Sequence, residues 1–421
     1  MKTLCFISIF MLSGVLMAQD TLTLSGCQQM AREHAPRLGD LDFIRKMGDA
    51  RIEQAGTAWY PSLDLNGKVS YQSDVVTVTL TDPGIPVEFP QVPHDQYGLN
   101  LDVSQNLFDG GLSRGRKNYE AAVTAADMQQ VEVDLYSLQG RVNRYYFTLL
   151  LLQENRRNLQ IHLENLEARK EAIQTAVSNG ALLETDLAVL EVERLKVMES
   201  VVELDSKQKA AMTALGILCG DQFNENAVLE HPRLEPPGNT GTARPEHRLF
   251  DLKQATMEAG KELARKKRMP VLYAFGQTGY GKPGYNMLSE QWDYYYMVGA
   301  GLKWKIWDWS QSSRERQLIG YQQEMLRTQR TSFDRELESM LAEEEANMEQ
   351  YRLTVEMDRQ VLELQKKISG QAAVKLENGT MTATDYITEL NKENLARIKL
   401  ATHQVLLTQS MANYLTLLGN Q

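Results

Sequence analysis

The sequence predicts a mainly helical chain that carries four β-strands and is built as an internal duplication. Three observations lead there: two long proline-free stretches with helical periodicity, two pairs of alternating segments, and motifs that recur at a constant offset. Asn106-Leu107-Phe108-Asp109 is answered by Lys305-Ile306-Trp307-Asp308, 199 residues later. Asn179-Gly180 recurs as Asn378-Gly379, and Thr185-Asp186 as Thr384-Asp385, at that same spacing. A spacing held over about 80 residues implies one rigid element pair, because an insertion inside it would disturb helix phase. Upstream the offset changes: Pro61 and Pro270 are 209 residues apart. The extra length falls at Ser73 to Asp95, which holds Pro83, Pro86, Pro90 and Pro93, against the shorter Gly281 to Asp293. Length changes collect in exposed loops, so this segment reads as a loop between constrained strands.

Taken in order, residues 1–18 read as a signal peptide. Lys2 is its charged start and Leu4 to Met17 its apolar run, with cleavage near Ala18. The run is short for a membrane-spanning helix, and no later apolar stretch reaches that length. An exported chain that enters a membrane must then do so as strands. The first structural repeat occupies residues 19–218. Ser25 to Ala58 is predicted helical, re-aimed at Pro36. A hairpin over 63–107 follows. Leu63, Leu65, Gly67, Val69 and Tyr71 alternate with Asp64, Asn66, Lys68 and Ser70. Tyr97, Leu99, Leu101, Val103 and Leu107 alternate with Gly98, Asn100, Asp102, Ser104 and Asn106. One wet and one apolar face result. A linker over 219–245, rich in Pro and Gly, leads to the second repeat at 246–421. Its helix runs Glu246 to Arg268 and its hairpin spans 271–306. Strands of nine to thirteen residues suit a tilted bilayer crossing. The five tryptophans, Trp59, Trp292, Trp304, Trp307 and Trp309, flank the strands as membrane-interface aromatics do. A soluble sheet packed on helices, with these aromatics as core, is the competing reading.

The long helices come next, Leu112 to Ser178 and Gln311 to Glu377, 67 residues each without proline. At 1.5 Å per residue each reaches about 100 Å. Val131, Leu135, Leu138, Val142, Tyr145, Leu149, Leu152, Leu159, Leu163, Leu166, Ile173 and Val177 keep a coiled-coil spacing. The second helix keeps the phase less strictly, with Glu344, Asp358, Gln365 and Ser369 interrupting. That fits either a helix facing water, as in a tunnel wall, or a looser pairing. Asn-Gly then ends each helix, Gly supplying the left-handed turn. Return helices run 185–218 and 384–418, with Asp186 and Asp385 favouring their N-terminal dipoles.

A net charge of −10 argues against nucleic-acid binding. His34, His94, His162, His231, His247 and His403 have no ligand spacing, so no metal, cofactor or enzymatic site is expected. Cys5 would leave with the signal. Cys27 and Cys219, 192 residues apart, carry no framework signature and are expected as buried thiols, with a disulfide the other possibility. Leu24-Ser25-Gly26-Cys27 has the look of a lipidation box, but polar residues separate it from the apolar run. Four strands cannot close a barrel, and open edges are not tolerated in hydrocarbon. Several chains must contribute, and three would supply twelve strands.

Three stretches together resemble the outer-membrane efflux protein family typified by TolC: Leu24 to Leu38, the two strand-to-helix junctions, and the two segments from Asn-Gly to Asp. The resemblance covers nearly the whole mature chain. It implies a homotrimer in the outer membrane of a Gram-negative bacterium, with a twelve-stranded barrel and a long periplasmic α-helical barrel. It implies a passive exit duct of a tripartite efflux or type I secretion system. The partners would be a periplasmic adaptor, an inner-membrane RND or ABC transporter, and outer-membrane lipid. The junctions would be Phe108, Asp109, Trp307 and Asp308. The adaptor would meet Asn179, Gly180 and Ala181 at one tip and Asn378, Gly379 and Thr380 at the other. The family's acidic gate maps to Asp385 and, three residues on, to Thr388 with Glu389 adjacent; Asp186 is the matching acid of the first half. Where family members carry a bracing tyrosine and arginine, this chain has Leu376 and Met381. A non-channel periplasmic coiled-coil scaffold or adaptor is the alternative.

Overall fold

A computed structural model describes residues 21–76, 92–225, 227–234, 242–287 and 289–419. The proposed signal peptide and most of the proline-rich loop lie outside them. The elements, in order, are β1 (Thr21–Leu22), α1 (Leu24–Glu33), α2 (Asp40–Gly56), β2 (Ser62–Tyr71), β3 (Asp95–Phe108), α3 (Leu112–Ser178), α4 (Glu184–Cys219), β4 (Val228–Leu229), α5 (Pro245–Lys266), β5 (Val271–Lys282), β6 (Asp293–Lys303), α6 (Gln311–Glu377) and α7 (Ala383–Leu418). Short 3₁₀ turns at Pro36–Gly39 and Thr57–Trp59 flank α2, the first where Pro36 cannot continue α1. Among the described residues, no helix is long and apolar enough to cross a membrane.

The chain divides into two compact units, and these are not the two halves of the sequence. Among the described residues, one unit draws on 21–38, 134–234, 242–244 and 335–419, and the other on 39–76, 92–133 and 245–334. Each takes matching pieces from both halves.

The first unit is helical. The α3 seam forms its core: Leu135, Val142, Leu149, Leu166 and Ile173 are at most 2% exposed. Burying each such side chain stabilises by about 1.5–3 kcal/mol, which explains how a helix this long holds its course. The small parallel ribbon β1–β4 docks on α3. There the Gln153 amide donates to Ala227 O (2.8 Å) and accepts from Leu229 N (3.2 Å). The Tyr146 hydroxyl lies 2.8 Å from Leu22 O and 2.6 Å from Glu230 O. The segment 219–245, read as a linker or equatorial segment, carries a strand. In α6 three of the four polar interruptions, all but Gln365, are met by α7. Glu344 accepts from Asn413 (3.0 Å), Asp358 bonds His403 (2.5 Å), and Ser369 donates to Glu393. The weak seam is therefore largely a polar seam with partners across the helix pair.

The second unit holds an antiparallel sheet in the order β2-β3-β5-β6. Leu65 pairs with Leu101, Leu99 with Tyr280, and Tyr280 with Tyr294, so apolar side chains collect on one face. That face is open. Val69 is 76% exposed, Tyr296 72% and Val298 77%. The opposite face carries Asn66, Asn100, Asp102 and Gln277. Asp102 accepts from both Asn66 and Gln277 at 2.6 Å. It is not uniformly polar: Tyr273 lies over Gly301, Phe275 over Gly299 and Tyr295 over Gly279. Each ring occupies the space a cross-strand side chain would need, which explains the glycines. A register shift falls between Asn106 and Phe108, so Phe108 rather than Leu107 pairs with Leu272.

The last strand ends earlier than its alternation suggests. Trp304 and Ile306 continue the pattern, yet β6 stops at Lys303, the partner of Val271. Pro270 precedes Val271 and has no N–H to extend the ladder. After it, Trp309 (φ 51°) and Ser310 (φ 63°) turn left-handed, as Gly110 (φ 66°) and Gly111 (φ 82°) do in the first half. The chain makes the same corner twice, once with glycines and once against steric preference.

A Cβ on Gly110 would lie 2.1 Å from Met269 Cβ, whereas one on Gly39 meets nothing within 4 Å. Gly110→Ala is expected to lower unfolding stability by more than about 1 kcal/mol. Gly39→Ala should change it by less than about 0.5 kcal/mol. Denaturant titration of both variants checks the contrast; equal losses would refute it.

Candidate functional site

The predicted site residues gather at two kinds of place: the turns that end α3 and α6, and the corners that begin them. At the first turn Gly180 is left-handed (φ 74°). Gly180 N–H bonds Val177 O at 3.0 Å and Ala181 N–H bonds Ala176 O at 2.8 Å. At the second, Gly379 (φ 67°) bonds Leu376 O at 3.0 Å, and Thr380 N–H bonds Lys375 O at 2.9 Å. Both are Schellman closures, in which the turn's own amides satisfy the helix's last carbonyls. Asn179, Gly180, Ala181, Asn378, Gly379 and Thr380 are all exposed. Each turn is thus a closed, outward-facing knob.

The acids behind the turns do different work. Asp385 is exposed and closes a box with Thr382. Its N–H bonds Thr382 Oγ1 at 3.2 Å, and its carboxylate accepts from that hydroxyl at 2.8 Å. Thr388 bonds its own helix at Thr384 O (2.9 Å), and Glu389 pairs with Lys392 at 2.7 Å. Asp186 does more. One carboxylate oxygen accepts Leu183 N–H at 3.0 Å, and the other accepts Ala383 N–H, the first residue of α7, at 3.2 Å. A single side chain therefore caps α4 and holds the start of α7.

Two neighbours that the sequence reading missed complete the joint. Arg169 of α3 pairs with Glu377 of α6, beside the buried Tyr386. Leu376 is 4% exposed and packs with Ile173, Leu190, Ala383 and Ile387. The place that the resemblance assigns to a bracing tyrosine is here a core leucine. Sequence spacing carried no sign of the Arg169–Glu377 pair, because its partners are 208 residues apart.

At the corners, Asp109 and Asp308 start α3 and α6. Asp109 accepts Gly111 N–H at 2.9 Å and Ser113 N–H at 2.7 Å. Asp308 accepts both the N–H (3.0 Å) and the hydroxyl (2.5 Å) of Ser312. Burial pushes the Asp109 carboxyl up, but the bonds from Ser113 and Gly111 outweigh it and hold the group below its ordinary range. The bonds from Ser312 hold Asp308 low in the same way. Phe108 and Trp307 beside them stay exposed, at 52% and 71%. Of the other tryptophans, Trp59, Trp304 and Trp309 sit at this end of the strands. Trp292 sits at the opposite end, stacked against Tyr97 (5.7 Å) and Tyr280 (5.3 Å).

Because the folded-state pKa of Asp109 lies below its unfolded value, its contribution is complete above the unfolded value. It is lost as pH falls through the folded one. Asp109→Asn should cost about 1 kcal/mol at neutral pH, and the two proteins should converge in acid. Thermal unfolding across that range tests this; a gap that does not change with pH would contradict it.

Residues 28–221 match the family model described as outer membrane efflux protein. No curated protein matches the sequence. Among solved structures, the outer membrane protein VceC of Vibrio cholerae superposes with TM-score 0.68 at 14% identity, covering 94% of this chain and 96% of that one. The CmeC outer membrane channel of Campylobacter jejuni gives 0.68 at 16%, covering 94% and 85%. The open-state MtrE outer membrane channel of Neisseria gonorrhoeae gives 0.69 at 16%, covering 94% and 89%. At such identities the likeness is one of fold, and it extends over both halves where the family match covers the first. The first half of the chain thus matches the outer membrane efflux protein family, and the chain as a whole has the fold of these outer-membrane channels.

Proposed function

We propose that this chain is one protomer of a trimeric outer-membrane duct, the passive exit of a tripartite efflux or type I secretion system. The observation that carries the reading is the sheet. Its apolar face is open, and among the described residues β2 and β6 each have one unpaired edge. Water does not reward that face, and hydrocarbon does not tolerate those edges. Sibling chains on either side would satisfy both, and three copies close a barrel of twelve strands. Strands of ten to fourteen residues are long enough for a tilted crossing of about 9–11 residues. The tryptophans at both strand ends suit the two interfaces. A periplasmic scaffold or adaptor would have no use for so exposed an apolar sheet.

The helical hairpins would form the periplasmic tunnel, with Asn179 to Ala181 and Asn378 to Thr380 as docking knobs for an adaptor. The inner-membrane pump, RND or ABC, would supply the energy. Glu389 is neutralised by Lys392 and Thr388 is turned to its own helix, which leaves Asp385 as the acid to face a lumen. Three such carboxylates close together would attract multivalent cations. Asp186 would act as the latch, holding α4 to α7 while the passage is shut, with Arg169–Glu377 beside it.

Single-channel recording in planar bilayers tests the duct and its gate. Wild type should conduct and be blocked by divalent cations from the periplasmic side. Asp385→Ala should weaken that block by about tenfold, the weight of one lost charge–cation contact. Asp186→Ala should raise the open probability without altering the block. No conductance from a well-folded, membrane-inserted trimer would end the duct reading; an unchanged block would remove Asp385 from the gate.

A further inference from the structure

We propose that Cys27 and Cys219 are joined by a disulfide in the exported protein, and that this bond staples the N-terminal segment Thr21–Glu33 to the end of α4. Both residues are 0% exposed and belong to one apolar cluster with Ala31, Tyr146, Met212 and Leu215. The Cys219 thiol reaches the Cys27 carbonyl at 3.4 Å, inside that shared core. A second contact holds the same helix ends together: His34 lies so close to Gly220 that a Cβ there would meet it at 2.5 Å. Two cysteines that share a core, on helix ends pinned at a neighbouring point, need little backbone movement to bond. The inference rests on the outer-membrane reading only for its compartment, since thiols exposed to the periplasm meet an oxidising environment.

The chemistry requires an oxidant, and a disulfide-bearing oxidoreductase is the class that suits. The thiolate of one cysteine attacks one sulfur of the oxidant's disulfide, and the other oxidant sulfur leaves as a thiolate. The second cysteine, deprotonated in turn, attacks the cysteine sulfur of that mixed disulfide and expels the remaining oxidant sulfur. The pair loses two electrons and two protons, and the oxidant gains them as two thiols. Attack by a thiolate needs access, and neither sulfur has any once the core is closed. The hydrogen bond to Cys219, and burial, also hold the Cys27 thiol well above its ordinary pKa. Oxidation therefore belongs to the folding of the exported chain, before α1 docks. The same burial leaves no room for a lipid chain on Cys27. Residues 21–22 ahead of it are moreover held in β1 against β4.

The test uses the full chain, exported and extracted from the membrane, then denatured in excess alkylating reagent without reductant and digested. The expected product is a linked peptide pair containing Cys27 and Cys219, which separates into two alkylated peptides only after reduction. In Cys219→Ser, Cys27 should be alkylated without reductant. Hydrogen exchange should then be faster over Thr21–Glu33 than in the oxidised wild type. Outer-membrane protein with both thiols already alkylated, or with an acyl group on Cys27, overturns the disulfide and leaves the duct reading standing. Recovery of the chain in the cytoplasm overturns both. Equal exchange rates overturn the staple. The peptide map of the wild type decides the bond even where the variant fails to fold.

Discussion

An antiparallel sheet with one apolar face and two free edges is incomplete by itself, and much of the molecule follows from that. The backbone groups along β2 and β6 need partners, and in a membrane water cannot supply them. The alternation that makes the outer face apolar also sends Asn66, Asn100, Asp102 and Gln277 to the other side, where they find polar partners. Even the aromatic intrusions there obey the pleat. Tyr273, Phe275 and Tyr295 lie over glycines, so the sheet absorbs large rings without losing register.

The acids that stand out in the sequence are largely helix starters. Asp109, Asp308 and Asp186 each receive a backbone amide, and Asp385 accepts the Thr382 hydroxyl to which its own amide donates. This is what a long helix needs at an abrupt start, since its first amides have no partner within the helix. The corners and the turns thus serve structure before they serve transport. Asp186 differs because its second oxygen reaches another helix. A residue that caps one helix and grips its neighbour makes the two helix starts dependent on one another, which is a physical basis for a latch.

The helical unit combines two ways of pairing. α3 uses an apolar seam, while α6 meets α7 through Glu344, Asp358 and Ser369 and also buries Leu337, Val355 and Leu362. Paired polar groups at a helix contact add little net stability but penalise any shift in register, because a shift would strand them. The α1 segment is held by another means, an apolar cluster that contains both Cys27 and Cys219.

Periodicity was enough to read the long helices and the two hairpins, but not the short strands β1 and β4. Period two marks the strands, the long seam marks α3, and proline and Asn-Gly punctuate the ends, because these signals arise from local backbone geometry. Local signals did not reach the end of β6, where the alternation through Trp304 and Ile306 outlasts a ladder that stops with its partner at Val271. They could not show that the compact units cross the two halves of the chain, since that depends on which faces meet. Nor could they reveal the Arg169–Glu377 pair, the grip of Asp186 on Ala383, or the contact between Cys27 and Cys219. Those join residues far apart in sequence, and only packing brings them within reach. Spacing and backbone preference along the chain thus sufficed for the long helices, the hairpins and the turns between them. Which acids merely cap, and which one also clasps a neighbour, was set by distances between packed elements, and order along the chain carries no record of those.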